Sequence, residues 1–191
     1  MKTNFIFSSI AMSVLLLGTG CGGSDSNDNQ NNANRKVGHY VDAAVSGVNY
    51  SCTSANRTYK GTTDRAGTFY YEDGQVCTFS VGGVELRRAN VSTMKENVLF
   101  EDNIRTAQFL QTLDNNANPN DGIEITASVA NALANQRWNT VPTTYNALIT
   151  LVTALQTNTH DYHGTATRET AARTHVGETR IGLTNGGWHF P

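Results

Sequence analysis

Three groups of side chains in this 191-residue chain have the types and spacing for chemistry. The first is His160-Asp161-Tyr162-His163, with His175 and His189 downstream. Imidazoles three apart share one face of a helix and could hold zinc or nickel, with Asp161 beside them, in a metal-dependent hydrolase. The pair lacks the glutamate of H-E-x-x-H, and Gly164 follows at once, so solvated loop histidines are the second reading. The next group is D-N-N-A-N-P-N-D-G, Asp114 to Gly122. Asp114, Asn116, Asn118, Asn120 and Asp121 offer oxygens at near-alternate positions, as calcium loops do when they gather hard ligands. The glycine comes later than in an EF-hand, and no acidic residue closes the loop at the twelfth position. A polar turn from helix to strand therefore stands beside a weak calcium site. The last group is the three cysteines, which divide into Cys21 alone and the pair Cys52 and Cys77.

The remaining chemistry is thin. No G-x-S-x-G is present, and no residue is assigned as catalytic. A formal charge of -2 gives no basic surface for a phosphate backbone, which excludes nucleic acid as a partner. Hydrophobic residues make up 38% of the chain and charged ones 16%, so Asn, Thr, Ser and Gly supply much of the polarity. That balance permits a folded domain with a modest core.

The elements that must position these groups follow from periodicity and punctuation. Lys2 and the apolar run Phe5 to Leu17 have the form of an export signal over residues 1–20, too short to span a membrane stably. Residues 21–36 are rich in Gly, Ser, Asp, Asn and Gln, which cannot bury apolar area, and are expected to form a disordered tether. Residues 37–99 read as a β-module. Val37 to Val41 and Ala43 to Cys52 are strand-like, as is the stretch from Val76 to Leu86, which Gly82-Gly83 breaks or bulges. Phe69 and Tyr71 share a face, as do Cys77, Phe79 and Val81. Tight turns are expected at Thr63 to Gly67 and at Glu72 to Gly74. Cys52 and Cys77 lie near strand ends in an exported chain, where a disulfide between them is expected.

Residues 100–191 read as helical with an irregular C-terminal segment. Glu101-Asp102-Asn103 caps a helix carrying Ile104, Ala107, Leu110 and Leu113, and Ile123 to Ile125 is a short extended piece. A second helix spans Ala127 to Trp138, with Val129, Ala130, Leu133 and Ala134 inward. A third follows Pro142, capped by Thr143 or Thr144, with a stripe of Tyr145, Leu148, Ile149, Val152 and Leu155. Val176 to Phe190 is read as a final strand or docking segment whose Trp188 and Phe190 return to the core or meet a partner. The fold class is therefore α+β: a small antiparallel β-sandwich-like module followed by two or three helices.

Two stretches carry family resemblances. L-L-L-G-T-G-C, ending at Cys21, resembles the lipobox of bacterial lipoproteins, which implies cleavage before Cys21, lipid on its sulfur and anchoring to a membrane through that lipid. Gly22, rather than aspartate, after the cysteine implies the outer membrane. G-T-T-D-R-A-G-T-F-Y-Y-E-D-G, Gly61 to Gly74, resembles the signature of carboxypeptidase-regulatory-like (transthyretin-like) β-modules. With D-A-A-V-S-G-V-N-Y before it and T-F-S-V-G-G-V after it, the pattern is similar to uncharacterised surface lipoproteins of Gram-negative bacteria. Such modules present, space or bind and carry no catalytic set. The expectation is a non-catalytic, lipid-anchored cell-envelope binding or structural protein, adhesin-like or an accessory subunit, with a protein or surface-ligand partner. Calcium is the one candidate cofactor. The competing classes are the histidine-dependent hydrolase and a calcium-stabilised scaffold.

Overall fold

The computed structural model of the chain describes residues 34–186. The expectations for the export signal, for Cys21 and for Trp188, His189 and Phe190 lie outside the described residues. Among those described, nine strands and four α-helices give an α+β fold whose sheets form a sandwich-like arrangement.

The strands run in order β1 Lys36–Val41, β2 Val45–Ser46, β3 Asn49–Thr53, β4 Thr58–Thr62, β5 Thr68–Tyr71, β6 Val76–Val81, β7 Val84–Asn90 and β8 Val98–Phe100, with β9 Ile123–Glu124 after the first helix. Three sheets result, ordered β5-β1-β8, β2-β9 and β4-β3-β6-β7. The pairing is antiparallel throughout the four-stranded sheet, but β1 pairs with β8 in parallel, and so does β2 with β9. Strand alternation does its expected work. Phe69, Tyr71, Cys77, Phe79 and Val81 all point inward and are buried. Tyr40 stacks on Phe79 with ring centroids 4.7 Å apart, and Phe69 meets Phe79 edge-on at 4.9 Å, so aromatic packing joins β1, β5 and β6.

Cys52 and Cys77 are register partners on β3 and β6 and form the expected disulfide. Closing a loop of this length stabilises by roughly 3 to 4 kcal/mol on the chain-entropy account. Both tight turns form, with Gly67 and Gly74 at positive φ. Strand β4 escapes a reading by alternation because its burial is that of an exposed edge. Strand β8 is three residues long and held between β1 and the helices.

The helices are α1 Ile104–Leu113, α2 Ala127–Asn135, α3 Tyr145–Asn158 and α4 Glu169–Thr184. Asn103 caps α1 by accepting from the amides of Arg105 and Thr106, and Thr144 caps α3 through Ala147. Helix α1 is the central one: every residue from Thr106 to Leu113 is buried. Helix α2 ends at Asn135, short of Trp138, because Arg137 turns the backbone to a φ of 59°. Its inward set is Val129, Ala132 and Leu133, so Ala134 is not part of the core, and neither is Ile149 on α3.

The C-terminal expectation is corrected. Glu169–Thr184 is a 16-residue helix, not a strand, and makes the helix count four. It buries Ala172, His175, Val176 and Thr179, which recur at helical spacing. Two of those four are polar, and Gly177 and Gly182 interrupt the run, so its apolar period is too faint to read.

The β-module and the helices share one hydrophobic cluster, and Gly82 is a contact point between them. At a φ of 55°, its Cα lies so close to α2 that an added Cβ would stand 2.3 Å from Cβ of Leu133. Gly82→Ala is expected to destabilise the protein by roughly 2 to 4 kcal/mol, from the left-handed backbone and the overpacking together, as read by urea denaturation.

Candidate functional site

The segment containing His160-Asp161-Tyr162-His163 is not a helix. It belongs to an extended strap after α3 that crosses the buried helix α1. The strap is tied by backbone and tyrosine, not by imidazole. Tyr162 is buried, and its hydroxyl donates to the carbonyl of Thr112. The amide of His163 donates to the carbonyl of Asn115 at 2.9 Å, and the amide of Thr167 to Oγ1 of Thr112 at 3.1 Å. His160 and His163 are themselves exposed, and Asp161 accepts from the hydroxyl of Ser128 on α2. That bond holds the Asp161 carboxyl below its usual range. Among the described residues, no three or more His, Cys, Asp or Glu side chains come together in a way that would hold a metal ion.

In the Asn-rich loop, the oxygens of Asp114, Asn116 and Asp121 accept from N–H groups of the loop and of β9. Asp114 is fully buried, and its two oxygens accept from the amides of Asn118 at 2.8 Å and Glu124 at 3.0 Å. Oδ1 of Asn116 accepts from the same Asn118 amide at 2.8 Å. The Asp121 carboxylate takes the side-chain amides of Asn116 and Asn118. Burial raises the Asp114 carboxyl above its ordinary value, against the pull of those two backbone donors. The arrangement braces the turn between α1 and β9.

Two polar features that no motif announced sit at the junction of sheet and helices. Glu101, buried just before α1, accepts from the Tyr40 hydroxyl at 2.6 Å and from Arg87 at 3.3 Å. Its charge is compensated, although burial still raises its carboxyl. Asp42 is the other, in the turn after β1, and it is fully buried. One carboxyl oxygen accepts from Nε2 of Gln111 at 2.9 Å, and the other has no partner. The Asp42 backbone carbonyl accepts from Nε2 of His175 at 2.9 Å, so that ring is protonated on Nε2. The sequence marks Asp42 only as one residue of a strand-and-turn pattern.

A groove of about 560 Å³ lies between β8, the 3-10 turn that precedes it and the end of α4. Met94, Val98, Leu99, Phe100 and Leu183 give it an apolar floor. Arg87, Lys95 and Arg180 stand at its rim, with Arg180 over the Phe100 ring at 5.5 Å from its centroid. Arg87 is spent on Glu101, Asp102 and the Phe100 carbonyl. No helix among the described residues is long and apolar enough to cross a membrane.

Compared with protein-family models, curated proteins and solved structures, the chain matches none.

Replacing Asp114 by alanine removes the acceptor of the Glu124 amide and one of the two acceptors of the Asn118 amide, and is expected to cost about 2 kcal/mol. Because the carboxylate braces the loop, the loss should be the same in calcium and in chelator. A loss seen only with calcium present, in thermal melts of both proteins, would instead establish a calcium-dependent scaffold.

Proposed function

We propose that this protein is a non-catalytic binding protein of the cell envelope, anchored to the outer membrane through lipid on Cys21 and presenting a groove to a protein partner. The observation that carries the binding reading is the groove between β8 and α4. An apolar floor supplies the area that association needs, and the charges of both signs around it, Lys95 and Arg180 with Glu96 and Asp102, supply orientation. Arg180 lies over the Phe100 ring there, and arginine is among the residue types enriched where binding energy concentrates. The anchor rests on the lipobox-like run ending at Cys21 and on the Gly-, Ser- and Asn-rich stretch after it, which serves as a leash. An adhesin-like role and an accessory role in an envelope assembly both use such a surface. The exposed positions of His160 and His163, and the use of Asp161 as an acceptor for Ser128, support a non-catalytic role over the hydrolase alternative.

The test has two parts. Cys21→Ser should abolish labelling by a palmitate analogue and release the protein from the membrane fraction. A photocrosslinking residue at Lys95 should capture a discrete protein in intact cells, and Leu183→Glu should remove that product while leaving the circular dichroism spectrum unchanged. Unaltered labelling of the Cys21→Ser protein would end the lipid-anchor reading. A crosslink indifferent to Leu183→Glu would end the groove reading.

A further inference from the structure

Asp42 stands where both terminal-half helices that lie over β1 make their polar ties. Gln111 reaches it from α1 and His175 from α4. The turn that holds it is closed by a bridge between Val41 and Ala44, and Ala43 within it adopts a φ of 67°, a left-handed conformation that alanine rarely takes. The residue is thus fixed by its turn and by two helices, Gln111 holding the carboxyl and His175 the backbone carbonyl. Its surroundings contain no compensating charge. The charged group that bears on it is Glu101, of like sign, and the Arg87 guanidinium that might answer both is bound to Glu101 and Asp102. From β1 the Tyr40 hydroxyl is committed to Glu101, and from α4 the nearby imidazole N–H is committed to the Asp42 carbonyl. One carboxyl oxygen is left buried and unpartnered. A neutral carboxyl tolerates that position, whereas a carboxylate does not.

Of the two helices that tie Asp42, α4 is the less deeply buried. Its buried face is only Ala172, His175, Val176 and Thr179, and no side chain caps its N-terminus. Gln111 and His175, the two side chains that tie Asp42, also line an open cavity of about 500 Å³. A small displacement of either therefore brings solvent to the carboxyl. We propose that Asp42 is a proton-operated latch: with its carboxyl protonated, α4 is seated on the β-module, and loss of that proton releases the helix. Because Arg180, Leu183 and Thr184 of α4 form one wall of the groove, release would also dismantle that surface. The latch stands independently of the binding reading; only this last consequence rests on it.

Burial, with a smaller contribution from Glu101, raises the Asp42 carboxyl from 3.8 to about 8 in the docked state. Once α4 opens, the carboxyl returns toward its ordinary value. The docked state binds the proton more tightly, so docking is strongest below about pH 4 and weakens as pH rises to about 8, where both states are ionised. Hydrogen exchange of the full chain, followed by mass spectrometry from pH 5 to pH 9 and corrected for intrinsic rates, reads this directly. Peptides within Glu169–Thr184 should open about tenfold more readily for each pH unit up to about 8 and then level off. In Asp42→Asn the same peptides should show no such rise. A flat profile in the unaltered protein, or a rise that persists in Asp42→Asn, would overturn the latch. Should Asp42→Asn fail to fold, carboxyl-carbon NMR of the unaltered protein decides. An Asp42 midpoint near 4 overturns the proposal, and one near 8 accompanied by the exchange profile supports it. Neither readout depends on a partner, so failure here is distinct from failure of the groove crosslink.

Discussion

A carboxyl group buried without a cation sets the terms on which the helices of this protein meet its sheets. Strand β1 lies in the middle of its sheet, between β5 and β8, and delivers Asp42 at its end into the layer where α1 and α4 pack. Most of the surrounding geometry is arranged around that delivery. The left-handed Ala43 reverses the chain, β2 leads on toward its parallel partner β9, and Glu101 immobilises Arg87 a short distance away. Gln111 and His175 on Asp42, and Arg87 on Glu101, make polar contacts at this junction. Their mutual placement is consequently directional, and the junction has one geometry instead of a range of slipped packings.

The two halves of the fold are held by different physics. In the β-module, stacked and edge-on aromatic rings and a cross-strand disulfide enclose the core, and both act with little dependence on pH or salt. Around α1 the attachments are hydrogen bonds from buried polar side chains: Gln108 to the Thr167 carbonyl, Tyr162 to the Thr112 carbonyl and Gln111 to Asp42. Such bonds contribute little net energy when made and cost much when broken without replacement. These bonds add direction to the apolar packing that Phe109, Leu110 and Leu113 of α1 already make in the shared core. The C-terminal helix buries two polar residues among its four, which makes it a natural place for local opening.

Legibility in the sequence followed the same division. Alternation and turn residues revealed the strands from β5 to β7 because their inward positions are all apolar and their turns carry glycine at positive φ. The disulfide was readable from compartment and strand ends. Caps at Asn103 and Thr144 were readable because the local chemistry there is self-contained. What escaped was set by distant neighbours. Strand β4 is an exposed edge, β8 is three residues of parallel pairing, and α4 buries two polar residues out of four. The chemical groups misled for a related reason. In His160-Asp161-Tyr162-His163 the residue that anchors the strap is the tyrosine, which becomes evident only when the Thr112 carbonyl is seen beneath it. Asp42 was invisible as a titrating group because nothing local to V-D-A-A-V says that two helices will close over it.

A chain with 38% hydrophobic residues has to bury many polar groups along with its apolar ones, and that requirement separates structural polarity from functional polarity. Asp114, Glu101 and Tyr162 are buried with partners that answer their lone pairs or protons, and each thereby contributes to one specified geometry. A polar residue so satisfied needs no role beyond the fold, however suggestive its neighbours in sequence. Asp42 departs from that pattern, since its second oxygen is buried unanswered beside a like charge. A merely structural requirement at that position would be met by asparagine, which could accept from Gln111 without any charge to desolvate. Retaining an ionisable group makes the junction responsive to the proton concentration outside it, and the element it governs forms one wall of the groove beside β8. The unanswered oxygen, more than any motif, is therefore the feature from which a regulatory role is argued.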